Sequence, residues 1–270
     1  MADLQTHGLL LQDAESGNRT ALPVAVIRKP APEDRYDLVL VPVRAEQLTS
    51  TLPVLTAMTD GSDVLFFGNI ANRATELVDA LGTRALFGFP AAGGTREGSV
   101  ITYVLIDQQK TMLGEPAGAT TARVRHLQGV LNGAGFPTTV SANIEDWLYG
   151  HAAFVVPIAF ALYRVDTDAA RLAADPATIR LMVRATRQAF TALSSAGNAE
   201  IPTNLRILYH LPTVLVTAYW RRVLAGPRGE LWFAAHSRAA PEEMRALAQE
   251  LHDAIRRTRH ATPDLDRLLA

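Results

Sequence analysis

The chain has 270 residues, of which 48% are apolar and 20% charged, with a formal net charge of -1 and no cysteine. That length fits one large domain or two medium ones. The near-balance of charge gives no electrostatic case for nucleic acid or an anionic membrane surface. The missing thiols remove disulfides, thiolate catalysis and cysteine-based metal sites, which a reducing cytoplasm tolerates. The start, residues 1–12, lacks the basic segment and long apolar core of a secretory signal. The most apolar run, 152–163, is interrupted by Pro157 and falls short of the roughly 20 residues a membrane-spanning helix needs.

Residues 8–12 and 22–27 flank the turn-rich stretch 13–19 and predict a β-hairpin. A short connector, 29–35, leads into the stretch 36–47, whose run Leu38-Val39-Leu40-Val41 reads as a strand of a parallel sheet, buried on both faces. Polar and charged residues gather past its carboxyl end, where open α/β sheets place their ligands. A helix over 46–58 is weakened by Pro53. A strand over 62–67 closes at Gly68-Asn69, a helix follows over 70–81, and 85–90 is a third strand. This alternation predicts a parallel sheet with right-handed crossovers.

Residues 91–98 then read as a glycine-rich loop, and 100–106 with 111–113 as a short antiparallel pair. A domain boundary is expected at 116–119. Beyond it the pattern is helical over 120–134, 144–163, 176–196, 204–224 and 241–260, with Pro212 breaking or kinking the fourth of these. The expected fold class is therefore α/β plus all-α: an incomplete Rossmann-like parallel-sheet domain over 1–117, then a helical C-terminal domain over 118–270. The dinucleotide fingerprint Gly-x-Gly-x-x-Gly occurs nowhere in the sequence.

Asp37-Leu38-Val39-Leu40-Val41-Pro42-Val43-Arg44-Ala45-Glu46-Gln47 resembles the "DLVLVAVKAxQ" segment of the ketopantoate reductase (2-dehydropantoate 2-reductase) family. Gly68-Asn69 is similar to that family's "QNG" turn, and Met112-Leu113-Gly114-Glu115-Pro116 to its "IGE" segment. The likeness continues through Gly133-Ala134-Gly135-Phe136-Pro137-Thr138-Thr139-Val140 and through 144–147 at the entry to the long central helix. The resemblance implies a cytoplasmic, two-domain NADPH-dependent oxidoreductase. In that family the N-terminal domain holds NADP, the helical domain supplies catalytic groups, and a small 2-keto acid is reduced to a 2-hydroxy acid. A homodimer is a possible assembly; nucleic acid, membrane and metal are not expected.

The sequence departs from the family at two places. It enters at the equivalent of the third-strand hairpin, near Gly8, so the expectation is an N-terminally truncated member, through a late gene start or degradation of the family pattern. The family's catalytic lysine follows the tryptophan of the central helix. In Trp147-Leu148-Tyr149-Gly150-His151-Ala152-Ala153 its slot holds Tyr149, and lysine occurs in the whole chain only at Lys29 and Lys110. Tyr149 and His151 are the nearby titratable groups and so the catalytic candidates, although a lone histidine on an apolar helix also reads as core. Glu230 falls where the family has a substrate-binding glutamate, and also reads as a solvated helix-start residue. The cofactor-binding candidates are Arg44, at a family lysine position, and Asn69, which also suits a plain turn. The alternative function is a catalytically inactive relative kept as a binding or interaction protein.

Overall fold

The computed structural model describes residues 2–31, 34–58, 61–70, 73–197 and 199–270. The expected connector at 29–35 and the expected helix at 70–81 each run partly outside these residues, at 32–33 and 71–72. The chain divides into two compact units, Met1–Ile144 and Glu145–Ala270.

The first unit opens with a short helix, α1 (Ala2–His7), and the hairpin of β1 (Leu9–Asp13) and β2 (Arg19–Leu22). Asp13 holds the hairpin turn by accepting from the backbone amides of Glu15 and Ser16 at 2.9 and 2.7 Å. The second strand comes earlier than its apolar residues indicate, because pairing starts as soon as the turn closes, with Gln12 opposite Arg19.

β3 (Leu38–Val41), α2 (Leu48–Ala57), β4 (Asp63–Phe67), α3 (Ala74–Leu81) and β5 (Ala85–Phe89) form the alternating segment, with β3, β4 and β5 parallel and in that order. β3 ends its sheet: among the described residues its other edge has no strand, and Leu40 is 49% exposed.

Two local expectations are corrected here. The glycine-rich stretch 91–98 contains a strand, β6 (Ala92–Glu97), paired antiparallel with β7 (Val100–Leu105). Glycine permits the approach, since a Cβ on Gly94 would lie 2.5 Å from the carbonyl oxygen of Thr102. β7 does not pair with the segment that follows it. It pairs parallel with β1, giving a four-stranded sheet in the order β2-β1-β7-β6, while β8 (Thr111–Gly114) joins β5 antiparallel in the other sheet.

The first unit also runs past residue 117. α4 (Ala122–Gly133) buries Val124 and Leu127 against Leu65, Leu86 and Leu113, and β9 (Thr138–Val140) pairs parallel with β8. The five-stranded sheet is thus ordered β3-β4-β5-β8-β9. An amphipathic helix and a short strand placed after the sheet cover it rather than start the next unit.

The second unit is helical and gathers around α5 (Ile144–Tyr163) and α7 (Pro176–Ser195), whose Ala153, Val156, Leu162, Ile179, Met182 and Leu193 are at most 0% exposed. Between them α6 (Ala169–Ala173) is capped by Asp168. The expected helix over 204–224 is two: α8 (Thr203–His210) and α9 (Thr213–Ala225), separated at Pro212. Arg187 ties that break, donating to the carbonyl oxygen of Tyr209 at 2.8 Å, to Thr213 Oγ1 at 2.5 Å and to the carbonyl oxygen of Leu211. A π-helical turn over Gly229–Ala234 leads into α10 (Ala235–Ala239), and α11 (Pro241–Arg256) and α12 (Pro263–Leu269) complete the unit.

Candidate functional site

In the first unit the candidates stand at the carboxyl ends of neighbouring parallel strands. Past β3, Arg44 is exposed, and its backbone amide donates to Gln47 Oε1 at 3.1 Å. Past β4, Gly68 donates to the carbonyl oxygen of Gly88 at 3.1 Å, and a Cβ on it would lie 3.7 Å from the carbonyl oxygen of Val43. The two strand exits therefore touch. Asn69 follows with only 9% exposure. Left-handed backbone among the described non-glycine residues occurs at Asp166, Thr167 and Arg259. Asn69 is not one of them, so tolerance of left-handed backbone is not what places an asparagine there.

Polar residues at the carboxyl ends of adjoining parallel strands stand where open α/β sheets take their ligands, and here they suit the nicotinamide end of a dinucleotide. The fit is to that end only. A pyrophosphate cradle of the glycine-fingerprint kind has no counterpart in these 270 residues.

In the second unit Tyr149 and His151 lie two positions apart on α5, which at about 100° per residue places them on opposite faces. Their surroundings differ accordingly. The His151 ring stacks on Trp147 with centroids 5.3 Å apart and planes 11° from parallel. Burial, with a smaller contribution from His236, pushes its pKa down to about 3, so it is neutral at physiological pH.

Tyr149 meets α11 and the residues just beyond it. Burial raises its pKa; the charge of Arg257 pulls it back, while Glu250 and Glu145 push it up. It keeps its proton at neutral pH. The first turn of α5 adds Glu145 and Asp146, both raised above their ordinary values, first by burial and then by Asp146 and Glu200 respectively.

Glu230 belongs to a third cluster. It sits in the π-helical turn, 47% exposed, and its carboxylate pairs with Arg238 at 3.0 Å. Arg238 also donates to Thr167 Oγ1 at 3.2 Å and to its carbonyl oxygen at 3.1 Å. The structure thus brings Arg44 and Asn69 to adjoining strand ends and sets Tyr149, His151 and Glu230 in three separate environments.

Two residues that sequence reasoning passed over stand next to the candidates: Arg257 at Tyr149 and His236 at His151. Arg257 reads in the sequence as part of the basic end of a terminal helix. No local pattern connects it to a residue so far back in the chain. Among the described residues no group of three or more histidines and carboxylates could hold a metal ion, and no helix is long and apolar enough to cross a membrane.

Residues 1–118 match the family model for ketopantoate reductase PanE/ApbA. Among solved structures, the 2-dehydropantoate 2-reductase from Geobacter metallireducens GS-15 is 15% identical, with 98% of this chain and 85% of that one covered at a TM-score of 0.79. The ternary structure of D-mandelate dehydrogenase with NADH and anilino(oxo)acetate is 15% identical, covering 99% and 84% at a TM-score of 0.77. The PanE/ApbA family ketopantoate reductase from Ralstonia eutropha JMP134 is also 15% identical, covering 99% and 84% at 0.75. At such identities the likeness shows the fold. No curated protein sequence matches the chain. Residues 1–118 are thus similar to the ketopantoate reductase PanE/ApbA family model, and the chain has the fold of the solved reductases it matches.

Proposed function

We propose that the protein reduces a small 2-keto acid to the 2-hydroxy acid with NADPH, and that Tyr149 is its proton donor. What supports this reading is the partly buried Tyr149 on α5, packed against the helical core with the charge of Arg257 acting on it. Arg257 brings a cation to the neighbourhood of the phenol, whose O–H can donate to a substrate oxygen. Its positive charge stabilises the phenolate left after proton transfer, doing the electrostatic work that the lysine of similar reductases does. His151, neutral and stacked on Trp147, is not the acid. Bound dinucleotide supplies the hydride. The keto carbon gains that hydride, its oxygen gains the Tyr149 proton, and solvent returns a proton to the phenolate. Arg44 and Asn69 hold the nicotinamide end, and the family match over residues 1–118 supports that assignment.

The test is NADPH oxidation with a panel of 2-keto acids, ketopantoate and phenylglyoxylate among them. Turnover is expected, with kcat about 10²-fold lower or more in Tyr149→Phe and partly kept in Arg257→Lys. Absence of both NADPH binding and turnover in the wild type would end this reading.

One observation favours a second reading, a non-catalytic relative that works through association. Ile207, Leu211, Val214, Leu215 and Tyr219 on α8, α9 and their connection are 62, 42, 71, 54 and 47% exposed, an apolar surface of the kind that marks interaction sites. Burial of this face in a homodimer predicts that Val214→Glu converts a dimer to a monomer in sedimentation. A wild type that sediments as a monomer at every concentration excludes it.

A further inference from the structure

α8 and α9 meet at Pro212, and Arg187 fixes the elbow by donating to the carbonyl oxygens of Tyr209 and Leu211 and to Thr213 Oγ1. One side of α9 enters the core: Val216 and Trp220 are at most 2% exposed, and the Trp220 indole N–H donates to the Tyr209 hydroxyl at 3.1 Å. The other side is therefore held outward. At about 100° per residue, Val214, Leu215, Ala218, Tyr219 and Arg222 share one sector of that helix. Of the thirteen large apolar side chains exposed among the described residues, five fall within 207–219, so the exposure is gathered in one place.

The charge of this segment departs from that of the chain. Residues 201–229 hold Arg206, Arg221, Arg222 and Arg228 and no aspartate or glutamate, a net +4 in a chain whose net charge is -1. The near-balance over 270 residues thus hides a local excess of positive charge. Arg221 donates to the carbonyl oxygen of Ala173 at 3.2 Å, and the Arg228 guanidinium lies 5.0 Å from the centroid of the Trp232 ring. Arg206, next to Ile207, and Arg222, three residues after Tyr219, are exposed beside the apolar side chains.

We propose that α8 and α9 bind an anionic lipid surface. Leu211, Val214 and Leu215 enter the boundary between head groups and acyl chains, and Arg206 and Arg222 meet the lipid anions, with their stems along the apolar surface. Tyr219 suits the same boundary, with an apolar ring and a polar tip. Charge complementarity selects this occupant over the second copy considered above, because a self-pairing of this face sets arginines against arginines. A lipid surface also accepts side chains that protrude, Val214 at 71% exposure foremost, whereas a protein partner has to offer each a matching pocket. The contact is peripheral, since no helix among the described residues is long and apolar enough to cross a membrane.

The test is cosedimentation of the full chain with sucrose-loaded vesicles, either phosphatidylcholine alone or with about 30 mol% phosphatidylserine. Saturable binding to the anionic vesicles is expected, at least tenfold tighter than to phosphatidylcholine and weakened in about 0.5 M NaCl. Arg206→Ala and Arg222→Ala should each lower the affinity about fivefold, and the double variant Val214→Ser/Leu215→Ser at least tenfold. Arg125→Ala and Val130→Ser, the same kinds of change at exposed positions of α4 in the other unit, should leave it unchanged. Circular dichroism checks that each variant is folded. The proposal fails if the wild type does not bind anionic vesicles or binds phosphatidylcholine equally well. It fails equally if the arginine variants or the serine variant bind like the wild type, or if the α4 variants lose as much. Absence of vesicle binding together with a dimer that Val214→Glu dissociates would give the face to a second copy and overturn the proposal.

Discussion

Replacing Arg123 by alanine should destabilise the first unit by about 2–4 kcal/mol. Arg123, in the first turn of α4, donates to Glu115 Oε1 at 2.8 Å and Oε2 at 2.5 Å, to Asp63 Oδ1 at 2.6 Å and to the carbonyl oxygen of Thr83 at 2.5 Å. One side chain thereby fastens α4 to the start of β4, the turn before β5 and the end of β8. Glu115 is only 6% exposed, so its carboxylate would be left buried without this partner. Breaking a fully buried pair costs about 3–5 kcal/mol. Arg123 and Asp63 remain 29% and 26% exposed, and that contact with water lowers the expectation to about 2–4 kcal/mol. For a unit of this size about 3 kcal/mol lowers Tm by roughly 6–12 °C.

The pH dependence follows from the same group. Burial pushes the Glu115 carboxyl up, but the hydrogen bonds from Arg123 and Thr121 and the charge of Arg123 outweigh it and hold the pKa below the ordinary 4.5. A carboxyl depressed in the folded state stabilises above its unfolded pKa, and that contribution is lost as pH falls through the folded one. Wild type should therefore lose stability on acidification below 4.5, and Glu115→Gln should not show this loss. The assay is urea unfolding followed by far-ultraviolet circular dichroism. Trp147, Trp220 and Trp232 all lie in the second unit, so tryptophan fluorescence serves as the internal control. In a double-mutant cycle with Glu115→Gln the coupling should reach about 2 kcal/mol. The reasoning is refuted if Arg123→Ala costs under about 1 kcal/mol, the level of an exposed surface pair, or costs as much when Glu115 is already glutamine.

A Cβ on Gly150 would lie 2.6 Å from the backbone oxygen of Glu200, so Gly150→Ala should cost about 1–3 kcal/mol in fluorescence-monitored unfolding. Gly129 in exposed α4 has nothing within 4 Å, and Gly129→Ala should instead stabilise by about 0.5–1 kcal/mol. His151, neutral when folded down to a pKa of about 3 and protonated near 6.5 when unfolded, predicts stability that falls as pH drops from 6.5 towards 3. That slope should be shallower in His151→Gln. On the open edge of β3, Leu40→Lys should reduce concentration-dependent association measured by light scattering, with the melting temperature little changed.

Much of the architecture is legible along the chain because local signals agree with the tertiary result. Leu38-Val39-Leu40-Val41 and Asp63-Val64-Leu65-Phe66-Phe67 are β-prone runs bounded by turns, and both are strands. Residues 144–163 keep a helical pattern despite Pro157 and form α5 over that span. The misreadings share one cause, which is pairing between segments distant in sequence. Ala92–Glu97 has too many glycines to signal a strand, and it becomes one because β7 lies beside it. β1 and β7 are parallel partners about ninety positions apart, and nothing near either names the other. The same holds at the site. The sequence singles out Tyr149 and His151 by their place beside Trp147.

Composition, periodicity and turn chemistry act between neighbours, and they determine the two-part organisation, the parallel strands and the long helices. Burial and long-range contact are properties of the folded chain. They alone decide that β3 keeps an open edge, that the first unit takes in α4 and β9, that His151 is neutral, and that Arg257 stands at Tyr149.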